Sequence, residues 1–172
     1  MGNFFAKSKK AEPPTETNDA TKKPSPTGNF AQDLLKAQND MRAKHGVPTM
    51  TLSTKLNEDA QRWADDIASR DVLAHCEERN GQGENLAWAS GDIGADETAK
   101  MWYDEINDYD FSKPGYNGKT GHFTQMTWKS STEFGAGFAK SSGGATYVVG
   151  RYLPAGNMTM TGEFEKNVLP VS

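Results

Sequence analysis

Gly121-His122-Phe123-Thr124-Gln125-Met126-Thr127-Trp128 is the stretch on which the fold turns. Read locally, it follows a Gly-, Lys- and Pro-containing segment, 110–121, that has the texture of a surface loop. A histidine then opens a run of aromatic and β-branched residues, which predicts a strand over 122–128. Two more short runs of the same texture, 134–139 and 146–153, follow across glycine-containing turns. The C-terminal half is therefore expected to supply strands.

Moving outward toward the N-terminus, the pattern becomes helical. Phe30, Leu34, Ala37 and Met41 repeat at the spacing of one helical face, and Gly46 and Pro48 supply the stop. His45 falls in the last turn, where the helix dipole favours a histidine, so no ligand role is assigned to it. A second helix is predicted from a cap at Ser53 or Thr54 to about Arg70, with Leu56, Ala60, Trp63, Ala64, Ile67 and Ala68 as its apolar stripe. Trp63 reads as core. A third runs from about Asp96 to Asp108, with Thr98, Met101, Trp102, Ile106 and Tyr109 facing inward. Helices first and strands last give an α+β class or a layered α/β/α arrangement.

One residue breaks the pattern. Glu105 lies four after Met101, three after Trp102 and four before Tyr109, which places a carboxylate on the apolar stripe. Buried alone it would cost several kcal/mol, so it must be paired, protonated, bound to something or snorkelling outward. Three further positions hold comparable chemistry. Glu84 follows the glycines at 81 and 83, where a first-turn or N-cap glutamate is the plain reading. His122 opens the predicted strand, and His75 follows the second helix after Val72-Leu73-Ala74. Together they form a set of two imidazoles, suited to a borderline cation such as zinc, and two carboxylates. The carboxylates can orient the imidazoles, accept from the outer shell or take protons. No H-x-x-x-H motif links His75 to His122, so spacing alone does not bring them together.

Bulk properties bound the rest. The 172 residues suit one domain, and the net charge of −4 argues against nucleic acid as the partner. The charge is uneven. Residues 1–28 carry Lys7, Lys9, Lys10, Lys22 and Lys23 against Glu12, Glu16 and Asp19, a net +2, which leaves −6 on 29–172. That N-terminal part is rich in Lys, Pro, Thr, Ser and Asn and reads as a disordered basic tail on a single domain, 29–172. The single cysteine, Cys76, allows no internal disulfide and suggests a reducing compartment. No run approaches the ~18 apolar residues of a spanning helix, and no secretory signal is evident. Gly2 follows Met1 as N-myristoylation requires, although Ala6 stands where the simple motif has Ser or Thr.

Several stretches resemble the CAP superfamily, the SCP and pathogenesis-related proteins. The stretch 121–128 is similar to its G-H-[FY]-T-Q-[LIVM]-x-W signature. Residues 147–157 (YVVGRYLPAGN) resemble the second signature, 83–88 (GENLAW) match a third box, and 37–42 with 45–48 are similar to the first helix and its exit. The likeness runs over about 29–169 in family order. It implies a three-layer α-β-α sandwich, an α/β fold. It also implies a central cleft whose tetrad falls on His75, Glu84, Glu105 and His122, with His75 and His122 as ligands of zinc or another divalent cation. Two positions depart from the pattern. Gly150 stands where secreted members have cysteine, and Thr127 where an aliphatic residue is usual. The absent cysteine and the C-terminal stretch 162–170 resemble the intracellular, Golgi-associated pathogenesis-related branch, which is N-terminally acylated. Cys76, beside His75, is taken as a free thiol.

The functional expectation is a binding protein with a divalent-cation cleft, held at the cytoplasmic face of the Golgi or another membrane and taking membrane lipids, a sterol or a protein partner, including a homodimer. The alternatives are a metal-dependent hydrolase, with Glu84 or Glu105 as acid or base, and a secreted-type protein. No G-x-S-x-G is present to supply a serine nucleophile, which favours binding over catalysis.

Overall fold

The computed structural model describes residues 29–172; the expected tail, 1–28, with Gly2, lies outside the described residues. Helix α1 spans Phe30–Lys44 and α2 spans Thr54–Arg70, with the two-residue strand β1, Thr51–Leu52, between them. Strand β2 is Gly83–Ala89 and α3 is Ala95–Tyr103, continued by a 3-10 segment, Asp104–Asp108. Helix α4 is Gly121–Thr127, strands β3 and β4 are Glu133–Lys140 and Thr146–Leu153, and α5 is Glu163–Asn167. No helix among the described residues is long and apolar enough to cross a membrane.

The strands form one sheet in the order β1-β3-β4-β2, with β1 parallel to β3 and the other pairs antiparallel. Strand alternation sends successive side chains to opposite faces. Leu86, Tyr147 and Val149 pack against Ala60, Ala64, Ile67 and Ala68 of α2. Ala87, Phe134, Ala136, Val148 and Tyr152 pack the other way, against Phe30, Leu34 and Leu35 of α1, Trp102 of α3 and Met126 of α4. The result is the expected α-β-α sandwich.

Gly135 and Gly137 let α2 approach β3 closely. A Cβ at either would collide with the backbone of α2, around Leu56 and Asn57 at one and Ala60 and Gln61 at the other. That approach also covers the outer edge of β3 beyond the short β1. Asn57 Oδ1 accepts from Ala136 N–H at 2.9 Å, and Gln61 brackets Phe138, donating to its carbonyl at 2.7 Å and accepting from its N–H at 3.2 Å. Two helical side chains take over the edge-pairing that a strand would supply.

Four sequence expectations are corrected. Residues 122–128 are not a strand but lie mostly in α4: an aromatic-rich run reads as either when it is short, and here Glu105 caps it as a helix. The inward face of α1 centres on Phe30, Leu34, Leu35, Gln38 and Arg42, while Ala37 and Met41 sit at its border. Arg42 is fully buried, donating to the carbonyls of Pro48, Met126, Trp128 and Ser131 at 2.9–3.1 Å; desolvation lowers its pKa to about 10. Met101 is 45% exposed, because the buried face of α3 centres on Thr98, Ala99 and Trp102 and leaves Met101 off to one side. The predicted helix at 54–70 stands, with Ser53 at its N-cap but making no side-chain cap bond. Trp63 is half-buried, not core.

Candidate functional site

The third helical element delivers Glu105 to the start of α4. There Glu105 Oε2 accepts the backbone N–H groups of His122 and Phe123 at 2.8 and 3.1 Å, while Oε1 accepts from His122 Nδ1 at 2.6 Å. The first N–H groups of a helix have no partner within it. Thr120, at the N-cap, makes no side-chain cap bond, and Glu105 does that work from seventeen residues away. The carboxylate on the apolar stripe is thus explained: it is half-buried, paired, and placed where the helix terminus favours negative charge. The His122 ring lies against Trp102, with centroids 6.3 Å apart and planes at 19°, and Trp102 is fixed by its own indole N–H to Leu86 O at 2.8 Å.

His75 is held differently. It sits in the loop after α2, not at the helix end, and its side chain is 57% exposed. Trp63 Nε1–H donates to Ala74 O at 2.9 Å, which pins the loop one residue before it. Glu84 is neither an N-cap nor a first-turn glutamate: it lies in β2, in an extended backbone that points its side chain into the α2 face. Its Oε1 accepts from His75 Nδ1 at 2.6 Å and from Cys76 N–H at 3.0 Å. Its Oε2 lies 2.9 Å from Arg151 Nη2.

The next residue, Asn85, points to the opposite face. Its Nδ2 donates to His122 O at 3.0 Å and to Tyr152 Oη at 3.2 Å, and the Tyr152 O–H in turn donates to Gln38 Oε1 at 2.6 Å. Two consecutive residues of β2 therefore hold the two histidines from the two sides of the sheet. Asn85, Tyr152, Gln38 and Arg151 were not singled out in the sequence. Arg151 left a signal of the same kind as Glu105, a lone charge in an apolar strand.

The four tetrad positions converge as two His–Glu pairs, and both imidazoles and Glu84 line one open cleft of about 640 Å³. The wall is polar, continued by Asn85, Gln125 and Asn157. Because a carboxylate accepts, each Nδ1 is the donor, which leaves each Nε2 without a hydrogen-bond partner among the described residues. Among those residues no cluster of three or more His, Cys, Asp and Glu side chains is arranged to hold a metal ion. The donor set that fits a cation is therefore two Nε2 atoms with carboxylates behind them, an open arrangement completed by water or ligand. Cys76 Sγ turns to Glu78 O at 3.5 Å and is not part of that set. His45 has both ring nitrogens in use, with Leu169 O at 2.6 Å and Tyr103 Oη at 2.9 Å, so the sequence reading that it is no ligand agrees with its surroundings. Its stated reason does not: burial pushes its pKa down, which disfavours the cation the helix dipole would have stabilised.

At Gly150, an added Cβ would lie 3.0 Å from Trp102 Cη2 and 3.1 Å from Phe134 Cε2. The place of the family cysteine is taken up by aromatic packing. Thr127 is fully buried, with its hydroxyl satisfied by Phe123 O at 2.9 Å.

The family model described as the cysteine-rich secretory protein family, CAP, matches residues 35–152. Golgi-associated plant pathogenesis-related protein 1 of Homo sapiens is 48% identical over 148 residues, spanning 85% of this chain and 96% of that protein. Pathogenesis-related protein 1 of Arabidopsis thaliana is 31% identical over 134 residues, 78% of this chain and 82% of that one. The crystal structure of NaASP2 with Zn2+ aligns at a TM-score of 0.67 with 22% identity, covering 88% of this chain and 91% of the other, a likeness of fold. With the model matched across the cleft elements and a relative nearly half identical over almost its whole length, the chain belongs to the CAP family.

Proposed function

We propose that this domain is a binding module whose cleft takes a divalent cation, zinc foremost, on His75 Nε2 and His122 Nε2. The observation that carries this reading is the pair of hydrogen bonds from each Nδ1 to a glutamate, which leaves both Nε2 lone pairs on one cleft. Carboxylate–imidazole pairs of this kind commonly back metal-bound histidines. A bound cation would supply a Lewis-acid centre with open positions, with affinity modest beside that of closed four-ligand sites. The hydrolytic alternative has less support. Both Glu105 oxygens already accept hydrogen bonds, and the Glu84 side chain, though its residue borders the cleft, is itself covered from solvent, so neither carboxylate stands ready to activate water. Zinc titrated calorimetrically into the wild type and into His75→Ala/His122→Ala tests the cation reading: heat is expected only from the wild type, and equal heats reject it.

The second half of the reading places the module at a membrane surface, on the Golgi or another cytoplasmic face, where it would bind lipid, sterol or a protein partner, a second copy included. The relative named as Golgi-associated supports this, as does the net +2 on 1–28 against −6 on the body. One myristoyl chain at Gly2 would bind with only about 10⁴ M⁻¹, so a second signal is needed. Lys7, Lys9 and Lys10 provide it at about 1 kcal/mol each beside an anionic leaflet. Phe4 and Phe5 add interfacial contact. Metabolic labelling with a clickable myristate, followed by fractionation of wild type and Gly2→Ala, is expected to show label and membrane enrichment in the wild type alone. Unlabelled wild type, or equal membrane fractions, rejects the anchor.

A further inference from the structure

We propose that Arg151 is the positioning residue of the cleft's His75 half, acting through Glu84. The proposal rests on the cation reading only where it concerns zinc; the geometry stands apart from it. Arg151 in β4 is directly opposite Glu84 in β2, in register across the antiparallel pair. Both side chains are withdrawn from water, 3% and 0% exposed, and Arg151 Nη2 lies 2.9 Å from Glu84 Oε2. Gln82 Oε1 accepts from Arg151 Nη1 at 3.3 Å, which holds the guanidinium on its other side. Paired in this way, Glu84 is left with Oε1 for His75 Nδ1–H and for Cys76 N–H.

His75 depends on that oxygen. Its ring is mostly exposed, and among the described residues it makes no aromatic contact and its one side-chain hydrogen bond is that to Glu84. Freed from Glu84, the ring would be set only by its rotamers. His122 has three restraints independent of Arg151: Glu105, the stack on Trp102, and the hold of Asn85 on its carbonyl. The two carboxylates also find their donors differently. Glu105 takes two N–H groups from the start of a helix, whereas Glu84 takes one, from Cys76 in the loop, and its other oxygen faces the buried guanidinium as a charge pair rather than a well-aligned hydrogen bond. Breaking a buried ion pair by removing one partner is costly, and here the first group to feel it is the oxygen shared with His75.

The test compares wild type, Arg151→Gln and Arg151→Lys by imidazole ¹H–¹⁵N spectra of the metal-free protein and by zinc calorimetry. Arg151→Gln is expected to lose the hydrogen-bonded His75 Nδ1–H signal and to weaken zinc about tenfold, the size of the loss when a group backing a metal-bound histidine is removed. The His122 signals are expected not to move, and Arg151→Lys to restore most of the loss. A folded Arg151→Gln protein that keeps both the His75 signal and the affinity overturns the proposal, as does a folded Arg151→Lys no better than Gln. If Arg151→Gln does not fold, Glu84→Gln/Arg151→Gln is compared with Glu84→Gln. Identical His75 signals are expected, and a further change on removing Arg151 means it acts by another route and overturns the idea. Absence of zinc binding by the wild type would sink the cation reading alone, since the spectra of the metal-free protein decide the positioning role by themselves.

Discussion

Glu105 grips His122 at two atoms at once: one carboxylate oxygen takes the backbone N–H, at 2.8 Å, and the other takes the ring Nδ1, at 2.6 Å. The same side chain therefore starts a helix and aims an imidazole. One residue further along α4, at Phe123, the backbone N–H still reaches Glu105 Oε2, at 3.1 Å, but a ring there would leave from a different side of the helix.

Glu105→Gln separates the two roles. The amide has one accepting oxygen and an NH2 that cannot accept from Nδ1–H, so either the helix start or the ring must give way. The expected outcome is a reversed or averaged His122 tautomer in imidazole ¹⁵N spectra. A destabilisation of about 1 kcal/mol, the size of a lost cap, should accompany it in urea unfolding. A wild-type His122 spectrum in the variant would show that Glu105 does not orient the ring.

Asn85→Ala removes the donor shared by His122 O and Tyr152 Oη at a position that is 1% exposed. Burial holds the Tyr152 phenol well above its ordinary pKa, so it remains a neutral donor to Gln38. Stranding two buried acceptors is expected to cost about 2 kcal/mol. Chemical denaturation measures it, and a loss within about 0.5 kcal/mol, the range of surface substitutions, would show the network to be dispensable.

His45 predicts a pH dependence. Burial lowers its pKa below the ordinary 6.5, partly offset by the bond to Leu169 O. The unfolded chain then takes up a proton near pH 6.5 that the folded chain refuses until lower pH. The contribution is full above about 6.5 and is lost as pH falls through the depressed folded value. The stability difference between wild type and His45→Gln, followed by urea midpoint from pH 8 to 5, is expected to shift against the wild type in the acid range. A difference that stays flat would contradict it.

Gly137→Ala puts a methyl into the backbone of α2 at Ala60 and Gln61. Backbone cannot rotate away, so the helix must lift from the sheet, at an expected cost of about 3 kcal/mol, the upper part of the overpacking range. Gly144→Ala is the control for lost glycine freedom: it meets nothing in space but has a positive φ of 85°. Calorimetric melting distinguishes them, and an equal or smaller loss at 137 would count against close helix–sheet contact.

What the sequence revealed depended on range. Helical stripes repeat within a few residues, so α2 and the start of α1 were legible from Leu56, Ala60, Ala64 and Phe30, Leu34. Strands β3 and β4 were legible from their aromatic and β-branched texture and the glycines between them. The stretch 122–128 was misread because its cap comes from Glu105, which local texture does not contain. Met101 was misplaced because the face α3 buries centres on Ala99 and Trp102, and the small Ala99 does not stand out from the sequence as its centre. At the site, Glu105 showed itself as a charge among apolar neighbours, and Arg151 in the apolar run 146–153 would have shown itself by the same criterion. Asn85 and Gln38 gave no such sign: uncharged polar residues on a stripe look like its border, and only the packed structure shows them buried. The family resemblance supplied the union of His75 with His122, which no spacing rule reaches.

The adjacency of Glu84 and Asn85 bears on how such a sequence can change by descent. Inserting or deleting one residue upstream within β2 would exchange the faces of these two side chains, taking Glu84 from the His75 ring and Asn85 from the His122 carbonyl in a single event. The segment 110–120 carries no such parity, since it runs over the surface between elements and serves neither histidine through alternation. Length variation among descendants should therefore gather in 110–120 and spare 83–89, even where individual side chains drift.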